Sequence, residues 1–119
     1  MNTFACTASG IAGLIESLGG GVSFVEVIRS IEGAAGDRAL CRDNLVLWDG
    51  CSSELTSAIN DGLKAGTFHF WPTTPLVYYL DGCVLTLPIA KRLGPYKTPR
   101  WMPVVLNLGP VSTSRKRKA

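Results

Sequence analysis

Glycine and proline interrupt this chain so often that every element in it must be short. Thirteen glycines and seven prolines are spread over 119 residues. Glycine accepts the left-handed backbone that ends a helix, and proline fixes φ and removes a hydrogen-bond donor. Gly19-Gly20-Gly21 therefore closes whatever precedes it, and Pro95, Pro99 and Pro103 forbid a long helix near the C-terminus. The chain still has the material for a core: 46% of its residues are hydrophobic and 18% charged, a balance that folds. One domain over residues 1–110 is expected, with a flexible basic tail over 111–119.

Between these stops, three segments carry helical spacing. Ile11, Leu14, Ile15 and Leu18 fall on one face, with Ser9 as a candidate N-cap. Phe24, Val27, Ile28 and Ile31 do the same behind Ser23, and Glu26 sits where it completes a capping box. Leu55, Ala58, Ile59 and Leu63 give a third helix over 52–65, capped by Ser52 and stopped by Gly66. Glu54 in its first turn and Lys64 in its last complement the helix dipole.

The rest reads as extended. Residues 33–44 lose all periodicity and are expected to be a loop with one helical turn at 37–42. Asn44 to Trp48 is a short apolar run suited to a strand. T-F-H-F-W, the turn P-T-T-P, L-V-Y-Y-L, Asp81-Gly82 and C-V-L-T-L predict two or three antiparallel strands. Ile89 to Leu93 suits one helical turn, and Val104 to Leu108 a last strand.

Helix, helix, short strand, helix and then strand-turn-strand resembles a winged helix-turn-helix domain over about residues 9–82. The resemblance rests on the helix 52–65, Gly66 and the stretch T-F-H-F-W-P-T-T-P-L-V-Y-Y-L-D-G. It implies an α+β fold: a three-helix winged-helix-like core, an antiparallel β-hairpin or small sheet, and an extended proline-rich C-terminal segment. It also implies that the third helix enters the major groove while the hairpin lies beside it as a wing. About twenty residues separate the second and third helices, where the family has a tight turn.

Charge tests that implication. Residues 1–60 hold seven acids and three bases, residues 61–114 two acids and five bases, and residues 115–119 four bases. The formal charge of +3 thus belongs to the tail, and the body alone is −1. Duplex binding needs cations against phosphate. The third helix offers only Lys64 against Glu54 and Asp61, with Thr56, Ser57 and Asn60 as neutral hydrogen-bonding groups. Other cations lie at Lys91, Arg92, Lys97 and Arg100, interleaved with Tyr96 and Trp101, and at Arg115, Lys116, Arg117 and Lys118. Basic residues beside aromatics suit phosphate binding and base stacking; the same aromatics suit burial against the body.

The expected function is a small nucleic-acid-binding or regulatory protein of winged-helix type. The alternative is a protein–protein interaction module, such as an accessory or inhibitory protein of a phage or mobile element. A homodimer is compatible with either. No catalytic set is expected: His69 stands alone in F-H-F-W, and Cys51 lacks a visible base or oxyanion site. No metal or other cofactor is expected, because Cys6, Cys41, Cys51 and Cys83 lack ligand spacing. The triple glycine lacks the following G-K-[ST] of a phosphate loop. No apolar run reaches 18 residues, and no basic residue precedes the first apolar stretch. Neither a membrane span nor a secretory signal is therefore expected. An intracellular, cytoplasmic location follows, nuclear in a eukaryotic host.

Overall fold

The structure is a computed structural model and describes residues 4–90 and 96–110. Its fold is α+β. The elements run α1 (Ala8–Leu18), α2 (Phe24–Ser30), β1 (Ala35–Arg42), β2 (Leu45–Cys51), α3 (Ser53–Ala65), β3 (Phe68–Pro72), α4 (Pro75–Asp81), β4 (Arg100–Trp101) and β5 (Val104–Leu108).

The first three helices follow their capping chemistry. Thr7, two residues before the expected Ser9, caps α1 by accepting a bond from the Gly10 N–H at 3.0 Å. Ser23 and Glu26 form the reciprocal capping box of α2. The Ser52 hydroxyl accepts from the Leu55 N–H at 3.0 Å and donates to the Gly33 carbonyl at 2.6 Å, so it fastens α3 to the loop after α2. Ile11, Leu14, Ile15, Phe24, Val27, Leu55 and Ile59 are all buried, so the three helices share one core.

One expectation needs correction between α2 and α3. Residues 35–42 are a strand, not a loop with a helical turn. β1 returns antiparallel onto β2 through a tight turn in which Asp43 takes φ 54°. Only Leu40 of β1 is buried, so its sequence shows no alternation to read. The spacing between the second and third helices is thus filled by a β-hairpin.

The segment after α3 is corrected as well. T-F-H-F-W begins β3, but L-V-Y-Y-L is helical and forms α4. Pro75 at its first turn presets φ, and Gly82 ends it at φ 97°. Strand propensity loses to one tertiary contact set: the buried Tyr78 ring lies 4.9 Å from Trp48 and 5.2 Å from Trp101, centroid to centroid. Residues 83–87 form no strand. The partner of β3 is instead β5, in the antiparallel register Phe68↔Leu108 to Pro72↔Val104. Ile89, expected in a helical turn, bridges Trp101 in extended form; residues 91–93 of that expected turn lie outside the described residues.

The far edge of β5 is also paired. Val22, between α1 and α2, exchanges both backbone bonds with Leu106, at 3.1 and 2.8 Å. Leu106 therefore faces Phe70 without a backbone bond, and by alternation so does Val104 opposite Pro72. That is a position where the missing proline N–H costs nothing. β1, β2 and the short β4 make a second sheet, with β4 parallel to β2.

Candidate nucleic-acid interface

The sequence-predicted contact residues divide into three groups. On α3, Ser57, Asn60 and Lys64 are exposed along one face, whereas Thr56 is half-buried and its hydroxyl donates to the Ser53 carbonyl at 2.9 Å. The described part of the 91–108 segment leaves this outer face of α3 bare. Lys97 and Arg100 are also described and are considered below. Lys91, Arg92, Arg115, Lys116, Arg117 and Lys118 lie outside the described residues.

The two sides of α3 differ in their surroundings. One side of it, from Ser53 to Asp61, borders a shallow hollow shared with Cys6, Thr7 and Ala8, in which Glu54 and Asp61 are the charged groups. The other side, at Asn60 and Leu63, borders an apolar cavity shared with Arg42 and Leu45 at the turn of the β1–β2 hairpin. A polyanion therefore meets repulsion on the side of Glu54 and Asp61 and cations on the side of Asn60 and Leu63.

Those cations are brought together by strand pairing. Arg42 pairs with Leu45, and Leu45 pairs with Arg100 across β4, so the two arginines occupy one cross-strand row. Adjacent strands lie about 4.8 Å apart, which sets the two backbones roughly 10 Å from each other. Asn44 locks the row: its amide donates to the Tyr96 carbonyl at 2.7 Å, and its own carbonyl accepts from the Arg100 N–H at 2.8 Å. The Arg100 guanidinium lies 4.8 Å from the centre of the Tyr96 ring, a cation–π stack that leaves its outer edge to a ligand. Lys97 is exposed on the bend between them.

Arg42 and Asn44 escaped the sequence reading. The signal that finds them is Asp43-Asn44 between two runs with strand residues, a turn signature. Arg100 was picked out for its charge; its alignment with Arg42 depends on a parallel pairing between distant residues that no local pattern encodes.

The two residues weighed for catalysis have structural surroundings. His69 is nearly buried, and its Nδ1 is hydrogen bonded to the Gly109 carbonyl at 2.8 Å, with the Trp71 ring edge-on at 6.5 Å. Cys51 is fully buried, and burial, followed by the charge of Asp49, pushes its thiol up to about 11. A thiol kept protonated is a poor nucleophile. Burial likewise raises the Cys6 thiol, opposed by its side-chain hydrogen bond with Ser52. Cys41 and Cys83 are exposed. Titration with a thiol-reactive disulfide should label Cys41 and Cys83 first, Cys6 more slowly, and Cys51 only on unfolding. Mass mapping of early Cys51 labelling in the native protein would contradict this order.

Among the described residues no group of His, Cys, Asp or Glu is placed to hold a metal ion, and no helix is long and apolar enough to cross a membrane. No protein-family model, curated protein or solved structure matches the chain.

Proposed function

We propose that this is a nucleic-acid-binding regulatory protein built on a winged-helix frame. The observation that carries the reading is the path α1, Val22, α2, α3, β3, β5, in which Val22 and β3 flank β5 while α3 keeps an uncovered outer face. In this reading the β1–β2 hairpin is inserted between the second and third helices. The wing is the long excursion 73–103 between β3 and β5, in place of the short P-T-T-P turn. Ser57, Asn60 and Lys64 address the groove. Arg42, Lys97 and Arg100 hold phosphates beside the second half of α3, with Lys91, Arg92 and the tail cations adding backbone contacts.

The test is duplex binding by the full chain across a salt series. Each phosphate contact contributes about 0.9 to the slope of log affinity against log salt. The triple variant Arg42→Gln, Lys97→Gln, Arg100→Gln should lower that slope by roughly 2 to 3, and deletion of residues 115–118 by up to about 3.6. Asn60→Ala should relax base preference by about 1–3 kcal/mol at one position. No complex with any duplex at about 50 mM salt, or a slope untouched by these changes, overturns the reading.

A second reading, a protein-interaction module, is favoured by α4. Leu76, Tyr79 and Leu80 line one face of this helix and are 61, 69 and 79% exposed. P-L-V-Y-Y-L carries no charge, so two copies of the face meet without repulsion, and a second copy of this chain is the proposed partner. Three side chains make a small contact, so the dimer should be weak and concentration-dependent. Light scattering should show a rising mass that Leu80→Glu abolishes. A monomer at every concentration up to about 1 mM would remove this reading.

A further inference from the structure

The two sheets and α3 do not close on each other completely. Between β1–β2, α3, β3 and the residues leading into β5 lies a cavity of about 330 Å³. Small-molecule sites run from about 300 to 1,000 Å³, so the space suits a compact ligand. Its walls are apolar: Leu47, Ile59, Leu63 and Phe70 come from three different elements, β2, α3 and β3. Leu47, Leu63 and Phe70 are only half-buried, so they present apolar surface to water at this seam. Two polar side chains reach the lining, Arg42 and Asn60. Arg42 is exposed, and its guanidinium makes no hydrogen bond or ion pair among the described residues.

We propose that this cavity binds a small amphipathic monocarboxylate, its carboxylate on the Arg42 guanidinium and its apolar body between α3 and β3. The charge pattern selects this class. One cation at the lining, with no acid to neutralise it, matches one anionic group, and a guanidinium fork matches a carboxylate in two parallel bonds. Asn60 offers a donor to the same headgroup. The remaining walls reward a hydrocarbon or aromatic body, because filling them removes apolar surface from water. A dianion would bring a second charge that these walls cannot pair. The proposal stands independently of nucleic-acid binding, although Arg42 and Asn60 take part in both.

The experiment uses the full chain, with octanoate and 3-phenylpropanoate as acyl and aromatic probes and octanamide as the neutral control. Binding is read by calorimetry and by methyl carbon shifts of Leu47, Leu63 and Met102. Saturable shifts at these methyls are expected with at least one carboxylate, and the tighter of the two identifies the body. Octanamide should bind about tenfold more weakly than octanoate. Arg42→Gln should weaken octanoate about tenfold and leave octanamide unchanged. Leu63→Trp should fill the space and abolish both; should that variant misfold, Leu47→Phe with the wild-type methyl shifts serves the same purpose. Absence of saturable shifts with either acid, equal affinity for octanoate and octanamide, or an Arg42→Gln variant that binds octanoate normally would each overturn the proposal. Retained carboxylate binding with no duplex binding would overturn the nucleic-acid reading alone.

Discussion

Tyr78→Phe should destabilise the protein by about 3 kcal/mol, although it removes a single oxygen. The Tyr78 hydroxyl accepts from the Phe24 N–H at 3.1 Å and donates to the Val104 carbonyl at 2.6 Å, and both bonds are buried. Phe24 opens α2, where a helix has no internal partner for its first N–H groups. Val104 turns its carbonyl away from β3, because the pair Pro72↔Val104 exchanges no backbone bonds. One hydroxyl therefore satisfies two backbone groups that secondary structure leaves open. Phenylalanine fills the same space, so no cavity term enters, but each stranded buried group costs about 1–3 kcal/mol. Urea denaturation should show the loss as a lower midpoint at an unchanged slope. A loss under about 1 kcal/mol would mean that water reaches Phe24 or Val104. The same burial raises the Tyr78 phenol well above its usual range. A folded-state pKa above the unfolded one stabilises fully below the unfolded value near 10 and is lost as pH rises beyond it. Stability should thus fall above about pH 10, and Tyr78→Phe should flatten that fall.

Gly62→Ala should have a comparable effect by a different route. Gly62 is buried on the inner face of α3, and a β-carbon there would sit 2.1 Å from Cζ of Phe68 and 2.3 Å from Cε2. Alanine is the better helix former by about 1 kcal/mol, so intrinsic propensity argues for stabilisation. The contact decides otherwise. The Phe68 ring is 1% exposed and belongs to the first residue of β3, so it has no free space into which to withdraw. Overpacking of this kind costs about 1–3 kcal/mol and occasionally more, and a net loss of about 2 kcal/mol is expected. The compensating double variant Gly62→Ala, Phe68→Leu should recover part of it. A thermal midpoint equal to or above that of the wild type in the single variant would show that β3 yields readily.

What the sequence reveals about this fold follows the range of the interactions involved. The helices α1, α2 and α3 are legible because their signals are local: a hydroxyl cap, a 3.6-residue period and a glycine stop. Val104 to Leu108 is legible as a strand by composition, but its partners are not. Val22 and Phe68 to Pro72 reach it from remote parts of the chain. β1 is hidden because a strand with one buried residue has no alternation. α4 is misread because L-V-Y-Y-L has strand propensity throughout, and the forces that coil it reside in Trp48, Trp101, Phe24 and Val104. The candidate site divides in the same way. Helical spacing alone places Ser57, Asn60 and Lys64 on one exposed face, whereas the row of Arg42 and Arg100 needs the parallel pairing of β2 with β4.

The end of β5 gives the basic tail a fixed root. Gly109 donates to the Thr67 carbonyl at 2.8 Å, its own carbonyl is held by His69, and a methyl group placed on Gly66 would touch the Pro110 ring at 3.7 Å. The chain thus leaves the fold beside the C-terminal end of α3. Nine residues follow Pro110, and at full extension they reach about 30 Å. The four cations at 115–118 follow that exit point by five to eight residues of sequence, and moving them to the N-terminus would preserve the protein's net charge while giving up that attachment.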